Sequence, residues 1–273
     1  MTRQNPGSGF SDVDRDSDPL ALIHALDLRT GAPFHLDYKQ RALALLGLHA
    51  GDQGLDIGCG TGEDVCQMAG LVCPGGRATG VDASETMIAE ARRRHVGIEL
   101  PVAFHVGEAE ALPFADASFD GCLAIRTFQH LANPQRALGE MIRVARPGGR
   151  LVVIDPDHDT AVIDASERSL MRRFLKFRAD TIRNGGIAHH MPALFKERGL
   201  LEVSVIPMTE VRTGYAEVEA ASHFEGGIRI AHDVGVLTDE EADRLVSGMR
   251  SAADAGRFLT AMTYFLTVGR KTS

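Results

Sequence analysis

The chain has 273 residues, 44% hydrophobic and 24% charged, a globular balance with enough apolar material for one large domain. Its formal net charge of -8 argues against a nucleic-acid backbone as partner, because that needs a basic stripe. The absence of tryptophan and an aromatic content of 5% likewise argue against a base-stacking platform.

Residues 1–18 are polar and rich in Asp, Ser and Gly, so they read as a disordered leader without the apolar core of a signal peptide. No apolar run is long enough to span a bilayer, and no membrane insertion is expected. Leu20–Leu28 and Phe34–Leu48 have helical periodicity. Gln53–Ile57 reads as the first strand and Glu63–Ala69 as the helix after it. Between them lies Leu55-Asp56-Ile57-Gly58-Cys59-Gly60-Thr61-Gly62, with glycines at alternate positions. Such a turn permits positive φ and presents bare backbone, and the helix beyond it aims its first N–H groups at the same gap.

The strand–helix pattern then repeats. Arg77–Val81 is a strand ending at Asp82, and Ser84 caps a helix running to about Arg94. Pro101–Val106 and Phe119–Ile125 are strands, Pro134–Val144 is a helix, and Leu151–Ile154 is a strand apolar at every position. This alternation predicts an α/β fold with a parallel, doubly wound sheet. Further on, Asp164–Arg183 reads as a long helix, Pro192–Arg198 as a short one and Leu201–Pro207 as a strand. Tyr215–Val234 and Thr238–Ala255 read as helices, the latter opened by a Thr238/Glu241 capping box, and Phe258–Val268 as the final strand. There is no internal repeat and no linker, so residues 19–273 are expected to form a single domain. Cys59, Cys66, Cys73 and Cys122 fit no disulfide or zinc spacing and read as reduced thiols of a cytoplasmic protein.

In a doubly wound sheet the ligand lies across the carboxyl ends of the strands. The G-x-G-x-G spacing is neither the G-x-G-x-x-G of a dinucleotide site nor a phosphate loop. Asp56 would repel a pyrophosphate but suits an ammonium. Asp82 suits two ribose hydroxyls, and Glu108 an exocyclic adenine amine. An ammonium, a ribose and an adenine without phosphate describe S-adenosylmethionine, whose spent form is S-adenosylhomocysteine.

Five blocks carry a family resemblance: Leu55 to Gly62, Val81-Asp82-Ala83-Ser84, Gly107 to Phe114, Ser118-Phe119-Asp120, and Arg143 to Val153. In that order they resemble the class I S-adenosylmethionine-dependent methyltransferases, in the branch with the ubiquinone and menaquinone biosynthesis enzymes often called type 11. The resemblance implies a Rossmann-like, seven-stranded sheet with its last strand antiparallel. It implies that the backbone of Gly58, Cys59 and Gly60 lies against the cofactor's amino-acid part and that Asp82 holds the ribose. Ala83 and Met87 would flank the adenine, Glu108 and the Ala109 backbone would read its edge, and Arg126 would stand near the methionine end. Tyr38 would close over the cofactor. Gly54 departs from the apolar residue usual there and predicts a weakened first strand.

Methyl transfer is an in-line displacement, so the protein mainly aligns the acceptor and excludes water, adding a base where the acceptor is a hydroxyl or a protonated amine. His130, after the fourth strand, is the best-placed ionisable group; it either faces the acceptor as base or orienter, or packs as part of the turn. Asp155, Asp157, His158 and Asp159 offer a Mg²⁺ ligand set, but the favoured reading is a polar loop without metal. Segments 160–191 and 215–256 are expected to form helical lid insertions over a small-molecule substrate, with His158, Phe174 and His190 toward the acceptor. Segment 168–183 carries Arg168, Arg172, Arg173, Lys176, Arg178 and Arg183, a basic run suited to an anionic substrate or partner, although the favoured reading is a solvated face. The lid matches no motif, which leaves O, N and C acceptors open. The competing functions are a non-methylating reaction such as a cyclisation on the same cofactor, and a non-catalytic partner subunit whose pocket closes at the sulfonium.

Overall fold

A computed structural model describes residues 13–15 and 18–272. Its strands are β1 (Gln53–Ile57), β2 (Arg77–Asp82), β3 (Val102–Val106), β4 (Phe119–Ile125), β5 (Ala145–Ile163), β6 (Leu201–Arg212) and β7 (Thr260–Arg270). They form one sheet in the order β3-β2-β1-β4-β5-β7-β6. The pairs among β1 to β5 are parallel, while β7 runs antiparallel to both β5 and β6. This is the expected Rossmann-like sheet with its last strand reversed. The strand order turns back between β1 and β4, which opens a crevice at their carboxyl ends.

The helices are α1 (Pro19–Thr30), α2 (Pro33–Leu46), α3 (Glu63–Val72), α4 (Glu85–Arg94), α5 (Pro134–Val144), α6 (Arg168–Thr181), α7 (Ile187–Glu197), α8 (Tyr215–Ser222), α9 (Phe224–Asp233) and α10 (Asp239–Asp254). Strand side chains alternate between two faces. Val152 and Ile154 of β5 join the core made with α2, α3 and α4. Leu151 and Val153 join the opposite core with α5 and α7. A third apolar cluster joins α6, α8, α9 and α10 to Ile163 and Phe258. The Thr238/Glu241 capping box is present at the start of α10. Among the described residues, no helix is long and apolar enough to cross a membrane.

Four differences from the sequence reading have physical reasons. The polar stretch Asp155 to Asp159 is strand rather than loop, because β5 continues to Ile163. Antiparallel β7 runs alongside it, pairing Asp155 with Phe265 and Asp157 with Thr263, so the polar side chains ride on a hydrogen-bonded backbone. The helix expected over 215–234 breaks at His223, whose left-handed φ of 48° ends α8 and starts α9. Helix α7 starts at Ile187, upstream of the expected Pro192, which lies inside it. Within the expected leader, Val13–Arg15 form a 3-10 turn; residues 1–12, 16 and 17 lie outside the described residues. Val13 packs with Ile23 and Met87, and the Asp14 carboxylate accepts from Ser84 Oγ at 2.6 Å and the Glu85 and Thr86 N–H groups at 2.8 and 3.1 Å. Asp14 thus supplements the Ser84 cap at the positive end of α4.

Gly54 does not weaken β1, which pairs with β2 along its whole length. A Cβ there would stand 2.1 Å from Sδ of the fully buried Met68 on α3, so the glycine lets helix and strand approach. Gly54→Ala is therefore expected to destabilise the fold by about 1–3 kcal/mol through overpacking. A urea midpoint lowered in Gly54→Ala and largely restored by adding Met68→Ala is the expected result; an unchanged midpoint in the single variant counts against this packing.

Candidate active site

A cavity of about 490 Å³ opens at the carboxyl ends of β1, β2 and β4, within the usual size of a small-molecule site. The glycine turn forms part of its wall, and its three glycines have different reasons. Gly58, at φ 73°, would drive a Cβ to 2.3 Å from Thr127 Oγ1, and Gly62, at φ 85°, to 2.5 Å from the Phe104 ring. Gly60, at φ 52°, would meet only Leu26 of α1 across the cavity, at 3.2 Å. The turn's own N–H groups are engaged, in contrast to those expected at the start of the following helix. Gly58 and Cys59 both donate to the Val81 carbonyl, Gly62 donates to the Cys59 carbonyl, and Gly60 donates to Asp82 at 2.9 Å. What the turn offers is close approach rather than a nest of donors.

Asp82 ends β2, and its other oxygen accepts the Ser84 N–H at 2.9 Å. Burial raises its pKa against these two hydrogen bonds. Each carboxylate oxygen keeps a lone pair for a further donor. Ala83, Met87, Glu108 and Ala109 line the same cavity, as do Tyr38, Gly58, Cys59 and Gly60.

Asp56 does not line the cavity. It shares a face of β1 with Gly54, turned toward α2 and α3. Burial and the neighbouring Asp64 push its pKa well up, and Lys39 opposes this. The carboxylate on the cavity wall is Asp64, in the first turn of α3. Lys39 holds one of its oxygens at 2.8 Å, and the other, Oδ1, is buried with no hydrogen-bond partner among the described residues. Asp64 stands two residues past Gly62, on the cavity wall where Asp56 was expected.

Arg126 follows β4 with a left-handed φ of 56°, and its backbone N–H bonds the Ile154 carbonyl at 2.6 Å. Its Nε is buried with no hydrogen-bond partner among the described residues. Arg126, His35 and His130 line both this cavity and a second chamber of about 130 Å³. The chamber continues between β6, β7, α6 and the α8–α9 corner, lined by Glu210, Tyr264, Leu175, Arg178 and Phe224 among others. Tyr38 stacks on Tyr264 with ring centres 5.5 Å apart, and burial pushes its hydroxyl pKa up. The site therefore does not end at the first cavity.

His130 sits in the 3-10 turn Phe128–His130, and its carbonyl accepts from Arg183 at 3.1 Å. His158 lines the second chamber, as expected, with Nε2 2.9 Å from Gln129 Oε1. The Gln129 amide donates to the Arg126 carbonyl, so its oxygen faces His158 and Nε2 carries the imidazole proton. Burial lowers the His158 pKa to about 4, leaving the ring neutral at pH 7. Two expected wall residues are elsewhere. Phe174, one turn before Arg178 on the same side of α6, is fully buried in the apolar cluster with α9 and lines neither space, because its ring packs beneath the Arg178 guanidinium rather than reaching the chamber. His190 is exposed on α7 and lines neither space, being two positions past the buried Ala188 and on the outer side of the helix. Asp157, Asp159 and His189 bring one ligand atom each within 4.8 Å of one another, while Asp155 and His158 stand outside this group. Asp157 is already engaged by His189 Nδ1 at 2.5 Å and by the Asp159 N–H.

Residues 55–153 match a family described as methyltransferase domain. The chain is 35% identical to a demethylmenaquinone methyltransferase of Thermus thermophilus over 58% of this chain and 72% of that protein. The chain belongs to the class I S-adenosylmethionine-dependent methyltransferases. A 37.1 kDa transposon protein of Streptomyces fradiae, itself uncharacterised, is 34% identical over 86% of this chain and 67% of its own. The fold also matches the Haemonchus contortus phosphoethanolamine N-methyltransferase 2 solved with S-adenosyl-L-methionine, with a TM-score of 0.63 at 21% identity over 97% of this chain and 60% of that one. S-adenosylmethionine is the cofactor of this family, and the donor set on the first cavity suits it: a half-buried carboxylate at the end of β2, a buried Asp64 oxygen with no hydrogen-bond partner among the described residues, and a glycine cradle. Sequence reasoning missed Lys39, Asp64, His35, Glu210 and Tyr264 in this methyltransferase. Asp64 had a signal, an acidic residue in the first helical turn; Tyr264 and Glu210 arrive from strands about 80 to 140 residues after β4 and had none.

Asp155, beside Arg126, gives a pH prediction. Burial raises its pKa to about 8 against hydrogen bonding and Arg126. A carboxyl with a raised folded pKa binds more protons folded than unfolded, so stability falls as pH rises from the unfolded value near 4 toward 8. Asp155→Asn is expected to shallow that decline, read as urea midpoints at pH 5 and pH 8. An unchanged slope contradicts the assignment.

Proposed function

We propose that this protein transfers the methyl group of S-adenosylmethionine to a small organic molecule seated in the second chamber, at an O, N or C atom, in specialised metabolism. The observation that carries this reading is the shared wall: His35, Arg126 and His130 belong to both spaces, so the two meet at one junction. A cofactor in the larger cavity and an acceptor in the smaller one then face each other there. When bound, the cofactor supplies a methyl group already attached to a sulfonium leaving group. The chain's part is to bind, orient and exclude water.

In this reading Asp82 accepts from the ribose hydroxyls, Ala83 and Met87 flank the adenine, and Glu108 with the Ala109 backbone reads its edge. The turn Gly58-Cys59-Gly60 lies against the amino-acid part. Asp64, backed by Asp56 and Lys39, takes the ammonium, Arg126 the carboxylate, and Tyr38 closes that end. His130 receives the acceptor proton or fixes the acceptor's angle, and neutral His158 stands on the far wall as a hydrogen-bonding partner. The lid cluster over α6 and α8 to α10 supports an apolar cover for a single domain. The four free cysteines and the acidic surface suit a cytoplasmic enzyme with no nucleic-acid partner.

Two measurements test this. By calorimetry, Asp82→Asn is expected to weaken S-adenosylhomocysteine roughly 10- to 100-fold, the value of hydrogen bonds to a charged group; equal affinity removes Asp82 from the cofactor. With an acceptor found from a compound panel, His130→Asn is expected to lower kcat by about 10²- to 10⁴-fold with cofactor affinity unchanged. Unchanged turnover at saturating acceptor removes His130 as the base.

A further inference from the structure

The basic segment of α6 does not behave as one solvated face. Arg168 and Arg172 are exposed, Arg173 pairs with Glu241, and Lys176 pairs with Asp180. Arg178 alone among these α6 cations turns into the chamber, on the face that also presents Leu175, Ala179 and, just past the helix, Ile182. Its guanidinium lies 4.4 Å from the centre of the Phe224 ring and donates one N–H to the Ser222 carbonyl at 3.1 Å. Among the described residues no carboxylate lies within ion-pair distance of it. Burial lowers its pKa to about 10, with only the more distant Glu219 opposing, so it stays charged at pH 7.

The other charges on this wall do not neutralise it. Glu210 is matched by Arg212 and lies 3.8 Å from His35. His158 is neutral. A half-buried guanidinium with no counter-ion among the described residues has donors left for a ligand to complete. The Phe224 contact and the single hydrogen bond to Ser222 hold the guanidinium on the chamber wall and leave its other N–H groups with no acceptor among the described residues, and a guanidinium fork matches two oxygens of an oxyanion.

We propose that the acceptor carries an oxyanion, a carboxylate or a phosphate, and that Arg178 on the lid receives it as the specificity-determining residue of the chamber. Arg178 then holds the acceptor's charged end against the lid and directs the remainder toward His130 and the junction. A net-negative protein thereby keeps a local positive site for a small anion, walled off from its acidic surface. This inference deepens the proposed methyl transfer and rests on it.

The test uses the full chain saturated with S-adenosylhomocysteine and matched probe pairs: benzoate with benzamide, phenylacetate with phenylacetamide, and phenyl phosphate with phenol. Binding is read by calorimetry at pH 7. The expected result is that at least one anion binds roughly 10- to 100-fold tighter than its neutral partner. Arg178→Gln is expected to abolish that preference and Arg178→Lys to keep part of it, with S-adenosylhomocysteine affinity unchanged in both. The carboxylate and phosphate arms decide between the two sources of the oxyanion. If no anion binds better than its neutral partner, or if Arg178→Gln keeps the preference, the proposal is overturned. Should Arg178→Gln fail to fold, Arg178→Lys and the wild-type pairs still decide, because a structural brace predicts no preference in either. Failure of the methyltransferase reading itself would show as no S-adenosylhomocysteine binding to the wild type.

Discussion

The hydrogen bond from the Gly60 N–H to the Asp82 carboxylate joins the two halves of the cofactor cleft. It ties the turn after β1 to the end of β2, and the second Asp82 oxygen ties that end to the start of α4 through Ser84. Asp14 then bonds the same helix start from the other side, so α1 and the 3-10 turn before it close over the cavity. Without a short residue at Gly60 and a carboxylate at Asp82 these pieces would not converge. A half-buried carboxylate that is hydrogen-bonded twice yet still holds open lone pairs is pre-organised for hydroxyl donors rather than for phosphate.

The acceptor side depends on a different constraint. Inserting β7 antiparallel between β5 and β6 lets all three strands run past the carboxyl edge of the parallel strands. Those extensions carry His158, Glu210, Met262 and Tyr264 to one wall and provide a base on which α6 and α8 to α10 pack. The chamber is thus a product of strand length. A polar strand such as Asp155-Pro156-Asp157-His158-Asp159 is stable there because its backbone pairs with β7 while its side chains face the lid and α7.

The cofactor half was legible because its residues are local. The glycine turn, Asp82, Ala83, Met87, Glu108 and Ala109 lie within about fifty residues on successive strand ends, and periodicity places them on one edge. The error at Asp56 was one of face. Alternation along β1 turns it with Gly54 toward α3, and Asp64 takes the wall position. The acceptor half was illegible for the opposite reason. Arg178 differs from Arg173 and Lys176 only in its direction on α6, and that direction is set by helices α8 and α9. Phe174 and His190 failed as wall residues because lid packing, rather than composition, decides which residue of an amphipathic helix meets a cavity.

These two halves meet at His35, Arg126 and His130, and the claim that chemistry occurs there is the centre of the account. A crystal structure of the full chain with S-adenosylhomocysteine tests it most directly. The account predicts the ribose on Asp82, the amino-acid end beside Asp64 and Arg126, and the sulfur opening onto the chamber at His130. A sulfur directed away from that junction, or a wall of side chains between it and the chamber, would contradict the account.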